Sequence, residues 1–117
     1  MTLTNLLEHL WRADADFEDV IAYLNAHYDY TPTRFSNGQG PAPVINESGK
    51  NEGSCRLFAL ARLAALSQAD TVQLFGRFYR HDVLLHPDGS DHANIRRFLR
   101  DGWAGIRFEG EALTPKA

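Results

Sequence analysis

Prolines and glycines are concentrated between Tyr30 and Gly53, and this concentration limits what the chain can fold into. The prolines of the segment are Pro32, Pro41 and Pro43, and its glycines are Gly38, Gly40, Gly49 and Gly53. A helix cannot run through it, because proline lacks a backbone donor and glycine favours turns. Short extended pieces remain possible near Phe35 and Val44. Long loops in compact domains are often functional, so this loop is a candidate binding element that leads to Cys55.

Apolar residues at helical spacing on both sides of the loop predict helices. The predicted helices span residues 3–11, 16–28, 55–66, 71–85 and 92–101. Their expected N-caps include Thr2, Ser54, Thr71 and Asp91, and Gly102 should end the last helix. Residues 105–110 alternate like a strand that could pair near Phe35, and the tail from Glu111 should fray.

The predicted fold is therefore predominantly α, of the α+β class, in a single domain covering residues 1–117. It consists of about five helices around the central buried helix Cys55–Leu66, with one short two-stranded β element.

Composition excludes several classes of function. A net charge of −3 gives no general attraction to nucleic acid or to an anionic membrane, so neither partner is expected. One cysteine cannot form an internal disulfide, which favours a reducing compartment. No apolar run reaches the ~20 residues of a membrane span, and residues 1–12 lack the features of a signal peptide. We expect a location in the cytoplasm.

Cys55 is the candidate nucleophile. If Ser54 caps a helix that begins at Cys55, the thiolate would lie in the partial positive charge of a helix N-terminus. A cysteine-dependent hydrolase or transferase would also need a base, for which His92 is the first choice, and a residue such as Asn51 to orient it. The alternative interpretation is that Cys55 is a small buried apolar residue.

The remaining candidate residues predict a binding surface. Glu52 lies on the Asn51–Cys55 turn, which is expected to face a group of polar residues made up of Tyr79, Arg80, His81, Asp91 and His92. Arg80, Arg96 and Arg100 could bind an anion or an acidic partner, although interleaved aspartates weaken the field. The histidines at 81, 86 and 92 lack the spacing of a metal-binding helix. No metal site and no cofactor are predicted.

Four ordered segments resemble the HopJ type III effector family. They are His27-Tyr28-Asp29-Tyr30-Thr31-Pro32 with Phe35, Asn37 and Gly38; Asn51-Glu52-Gly53-Ser54-Cys55 with Phe58 and Ala59; Leu74-Phe75-Gly76 with Tyr79-Arg80; and Asp91-His92-Ala93-Asn94-Ile95-Arg96 with Gly102-Trp103-Ala104-Gly105-Ile106. The resemblance implies a small bacterial protein, named for members regarded as substrates of type III secretion in plant pathogens. A host protein would then be a possible partner. The family has no established biochemical activity, so the resemblance assigns no catalytic residue.

Three hypotheses follow from the sequence. The first is a HopJ-like type III effector of unknown molecular activity, with its candidate site at the Asn51–Cys55 turn. The second is a cysteine-dependent enzyme that uses Cys55 and His92. The third is a cytoplasmic, non-secreted module that binds an anion or an acidic partner.

Overall fold

The structure is a computed structural model that describes residues 1–116. Within this range the helices are α1 (Leu3–Trp11), α2 (Phe17–His27), α3 (Glu52–Leu63), α4 (Gln68–Gln73), a π-helix (Phe78–Val83), α5 (Ala93–Asp101) and a 3₁₀ turn (Gly102–Gly105). The strands are β1 (Tyr28–Tyr30), β2 (Phe35–Asn37), β3 (Val44–Asn46), β4 (Ile106–Phe108) and β5 (Leu113–Pro115). The predicted class is confirmed, since the fold is α+β and mostly helical. None of the described helices has the length and apolar character needed to cross a membrane.

Local capping explains the first two helices. The Thr2 side chain accepts a hydrogen bond from Asn5 N, which caps α1. Asp16 and Asp19 form a reciprocal capping box at the start of α2. Both helices begin where the sequence predicts them to begin.

Helix α3 forms the centre of the core. Leu57, Phe58, Leu60 and Ala61 are fully buried in it. The Phe58 ring lies near four other aromatic rings, those of Phe35, Phe75, Phe98 and Trp103. The predicted central position of this helix is thus confirmed. Its predicted start is wrong, because the helix begins at Glu52 and Ser54 lies within its first turn.

The β structure is larger than predicted. The expected pairing of β2 with β4 is present and antiparallel, with Phe35 opposite Phe108, but β3 adds a third strand on the other side of β2. A second, two-stranded sheet joins β1 to β5. The prediction of a frayed tail is wrong for residues 113–115, because Ala112 and Leu113 are buried in the core and so hold the tail against it.

The predicted helix 71–85 is interrupted. Helix α4 starts earlier, capped by Ser67, and ends at Gln73. Gly76 then has a φ of +59°, a left-handed conformation that stops a helix, and the chain resumes as the π-helix. The prediction of Asp91 as N-cap is also wrong, because α5 begins at Ala93 with His92 in the N-cap position. Gly102 ends α5 as predicted.

Candidate functional site

The N-termini of α3 and α5 open onto one cleft of about 370 Å³. We call it the two-helix cleft. Its polar lining comes from the starts of the two helices, which contribute Asn51, Gly53, Ser54, His92, Ala93 and Asn94. Its apolar walls are formed by Phe17, Val44, Phe75, Phe78 and Ile95. The volume lies near the lower end of the range of small-molecule sites, roughly 300–1,000 Å³.

These two helices differ from the other three α-helices in how they begin. Whereas α1, α2 and α4 each have a side chain that caps the N-terminus, no N-cap side chain does so in α3 or α5. The first helical bonds run from Cys55 N to Asn51 O (3.0 Å) and from Arg96 N to His92 O (3.1 Å). The N–H groups of residues 52–54 and 93–95 therefore precede the helical ladder, and they carry the partial positive charge of a helix N-terminus.

Both N-cap residues have left-handed backbone conformations. Asn51 and His92 each have a φ of 51°. Left-handed geometry is uncommon for residues other than glycine, although asparagine and histidine are enriched there. Such strain often occurs at functional sites.

A network of four asparagines, Asn37, Asn46, Asn51 and Asn94, holds the two helix starts together. Asn46 Oδ1 accepts hydrogen bonds from Asn51 Nδ2 (2.7 Å) and from Asn94 Nδ2 (2.8 Å). Asn94 Oδ1 accepts from Asn37 Nδ2 and Asn46 Nδ2, each at 3.1 Å. The Asn51 amide is thereby engaged with β3, which explains why it does not cap α3.

The sequence predicts Asn51 on a turn and as a residue that orients His92, but it does not predict this network. The sequence carries one signal for it, namely asparagine beside the extended pieces near Phe35 and Val44. Asparagine is depleted in strands, yet Asn37 and Asn46 both lie in strands and are fully buried. An asparagine in such a position needs buried hydrogen-bond partners.

His92 lies at the rim of the two-helix cleft, where its ring packs against Phe78 with centroids 5.2 Å apart. Its Nε2 lies 2.9 Å from Asp82 Oδ2. Hydrogen bonds from His92 and then His81 lower the pKa of the Asp82 carboxyl. The carboxylate thereby orients the His92 ring from the π-helix.

Arg96 ties the segment before α5 to the π-helix. Its guanidinium contacts Asp91 Oδ1 at 2.6 Å and donates to the carbonyls of Asp82 and His86. The hydrogen bond from Arg96 lowers the pKa of the Asp91 carboxyl.

Cys55 lies outside the two-helix cleft. It is 1% exposed, and its thiol donates to the Thr33 carbonyl at 3.5 Å. Burial raises the pKa of the thiol, since the uncharged form is favoured away from water. The predicted start of the helix at Cys55, which would have placed the thiol in the electropositive first turn, is wrong, because the helix begins three residues earlier and turns the side chain into the core. The alternative interpretation of Cys55 as a small buried apolar residue is confirmed. Burial and the raised pKa both disfavour a nucleophilic role.

The other predicted binding residues have separate roles. Arg80 donates to the carbonyls of Leu10 and Ala15 at the joint between α1 and α2. Glu52 pairs with Arg56 at 3.7 Å on α3. Tyr79 packs against the core, the His81 side chain is 69% exposed, and Arg100 contacts Asp101. Of the predicted site residues, Asn51 and His92 line the two-helix cleft, and Asp91 contacts both His92 and Arg96.

Comparison with known proteins places the chain in a family. The model of the HopJ type III effector protein family matches residues 3–113, and the chain belongs to this family. The resemblance stated from sequence is thus confirmed. The chain is also similar to VPA0580, a protein described as of unknown function. That crystal structure matches with 45% sequence identity and a TM-score of 0.88, over 99% of this chain and 95% of the other. Comparison with curated proteins gives no match.

Proposed function

We propose that this HopJ family protein binds a small anion with an apolar portion in the two-helix cleft. One observation carries the proposal, namely that the two longer helices without an N-cap side chain, α3 and α5, start at the same cleft. A helix N-terminus attracts anions through its free N–H groups and its dipole. Two such termini, each equivalent to roughly half a positive charge, favour a carboxylate or phosphate group.

The walls of the cleft suggest the rest of the ligand. Aromatic and aliphatic side chains, among them Phe17, Phe75 and Phe78, face it, so an apolar body attached to the anionic group would bury its surface there. The location differs from the arginine-rich surface predicted from the sequence. Arg80 and Arg96 point at backbone carbonyls instead, which compete with any ligand for their donors.

The test is an NMR titration with two probes, inorganic phosphate and phenyl phosphate. We expect saturable shifts of the backbone amides of Gly53, Ser54, Ala93 and Asn94, with tighter binding of phenyl phosphate. Shifts confined to other regions, or no saturable shift at these four amides, would contradict the proposal.

A matched pair of variants sharpens the test. Ser54→Asp places a carboxylate in the first turn of α3, where it should repel the probe while leaving the helix as stable or slightly more so. Thr4→Asp makes the same change in the first turn of α1, on an exposed position outside the cleft. We expect only Ser54→Asp to abolish phosphate binding. Equal loss in both variants would indicate a general charge effect.

Export is a second proposed property, supported by the match to the HopJ type III effector family over residues 3–113. We propose that the protein is exported by a type III secretion apparatus and meets a host protein, whereas the alternative is retention in the bacterial cytoplasm. The full chain fused to a reporter should leave wild-type cells and be retained in cells that lack the apparatus. Retention in both strains would contradict the effector role.

A further inference from the structure

Three side chains near the two-helix cleft direct possible ligand atoms towards one point. Asp82 is on the π-helix, and Asp91 and His92 immediately precede α5. His92 Nε2 lies 2.9 Å from Asp82 Oδ2 and 3.9 Å from Asp91 Oδ2. The three ligand atoms all lie within 4.8 Å of one another. The group does not show as a motif in the sequence, because Asp82 is ten residues from His92.

The Oδ1 atom of each carboxylate contacts a residue that is not one of the three. His81 Nδ1 lies 3.1 Å from Asp82 Oδ1, and Arg96 Nη2 lies 2.6 Å from Asp91 Oδ1. Both carboxylates are therefore oriented with Oδ2 turned to His92. Outer partners of this kind orient the ligands of metal sites in proteins, and they distinguish this group from exposed acidic residues that are merely close together.

The distances are close to those that a single ion requires. Zinc binds nitrogen and carboxylate oxygen at roughly 2.0–2.2 Å, so tetrahedral ligand atoms lie roughly 3.3–3.6 Å from one another. The contacts of 2.9 Å and 3.9 Å from His92 bracket this separation, whereas the three ligand atoms together span up to 4.8 Å. Binding of one ion therefore requires the two carboxylates to rotate towards it. One imidazole and two carboxylates suit a borderline cation better than Mg²⁺ or Ca²⁺, which prefer oxygen ligands alone.

We propose that Asp82, Asp91 and His92 bind one divalent transition-metal ion of the Zn²⁺ class. Three protein ligands leave a coordination position open, as in catalytic zinc sites. The site requires no anion in the two-helix cleft, so this proposal can be tested independently of the proposed function. Phosphate titrations with a chelator present and zinc titrations without phosphate distinguish the two.

The first test is calorimetric titration of the full, untagged chain with Zn²⁺. We expect one saturable site per chain, weakened roughly ten-fold or more in Asp91→Asn and in Asp82→Asn. Asp88→Asn is the matched control, because Asp88 is an exposed aspartate on the same connecting segment and is not part of the group. Equal affinity in all four proteins, or no saturable binding by the wild type, would overturn the proposal.

The second test uses the wild-type protein, so a variant that fails to fold cannot obscure it. In NMR spectra of the imidazole nitrogens, Zn²⁺ should perturb Nε2 of His92 and leave the ring of His27 unchanged. A response centred on His9, which contacts Asp14 at 2.8 Å, would overturn the assignment. So would binding of Mg²⁺ as strong as that of Zn²⁺ with no change at His92, since it would show a purely acidic site.

Discussion

Replacing Asn94 with alanine removes the central member of the asparagine network. The side chain is 6% exposed and takes part in three hydrogen bonds with Asn37 and Asn46, of 3.1, 3.1 and 2.8 Å. Its loss does not affect all partners equally. Asn37 Nδ2 keeps the backbone carbonyl of residue 94 at 2.8 Å, and Asn46 Oδ1 keeps the Asn51 amide at 2.7 Å.

Asn46 Nδ2 is the group left with the poorest hydrogen bonding. It would retain only a long contact of 3.4 Å with the Val44 carbonyl, inside a side chain that is fully buried. A buried donor without a good partner costs about 1–3 kcal/mol, and each other bond lost costs about 0.5–1.5 kcal/mol. Alanine recovers about 0.5 kcal/mol through helix propensity. We expect Asn94→Ala to lower the free energy of unfolding by about 1.5–5.5 kcal/mol, a large part of the stability of an ordinary domain.

The assay is urea unfolding followed by circular dichroism, with the midpoint and slope compared between variants. Asn25→Ala is the matched control, because Asn25 is exposed on α2 and the same chemical change there should be neutral or slightly stabilising. A loss below about 1 kcal/mol in Asn94→Ala, at unchanged slope, would refute the account of the network as a structural element.

Three further predictions concern the backbone, the response to pH and the thiol. Gly76→Ala should lower the free energy of unfolding, measured in urea, by about 2 kcal/mol or more, because φ is +59° and a Cβ would lie 2.6 Å from a backbone nitrogen. Gly40→Ala is the control: φ is +88° and nothing lies near the added Cβ, so the loss should be about 1 kcal/mol. Hydrogen bonding from Arg97 lowers the pKa of Asp101 in the folded state, so the carboxylate stabilises the fold above its unfolded pKa. Asp101→Asn should lower the melting temperature near neutral pH, and this difference should shrink as the pH falls through the acid range; a constant difference would contradict it. Cys55 should react slowly with a thiol reagent in the native state and rapidly in urea, because it is buried with a raised pKa; rapid native reaction at neutral pH would show an accessible thiolate.

Features that depend on a few neighbouring residues could be predicted from the sequence. The N-cap at Thr2, the start of α2 at Asp16 and the end of α5 at Gly102 each require only local hydrogen bonds or one permissive glycine. The pairing of β2 with β4 followed from alternation in residues 105–110 and from the extended piece predicted near Phe35. The family resemblance came from motifs spread along nearly the whole chain.

Features that depend on distant contacts could not be predicted in this way. Apolar spacing is continuous through residues 71–85, yet Gly76 and Arg77 pack against the N-terminus of α2, and Arg77 N donates to Asp16 Oδ1 at 2.9 Å. The helix therefore breaks where a partner 61 residues away supplies the alternative hydrogen bond. The π-helix that follows the break packs against α5, and it carries Asp82 to within 2.9 Å of His92.

The interpretation of Cys55 shows how one local error can move a predicted site. Placing the helix start at Ser54 put the thiol at the electropositive end, whereas the observed start at Glu52 puts it one turn further in, facing the core. The partial positive charge remains where helix physics requires it, on the N–H groups of residues 52–54. The Asn51 side chain bonds to Asn46 and therefore does not cap these N–H groups. The partial positive charge that was predicted to stabilise a thiolate is available to a ligand instead. His92 repeats this arrangement at α5, which is why the two-helix cleft, and not the cysteine, is the feature around which function should be tested.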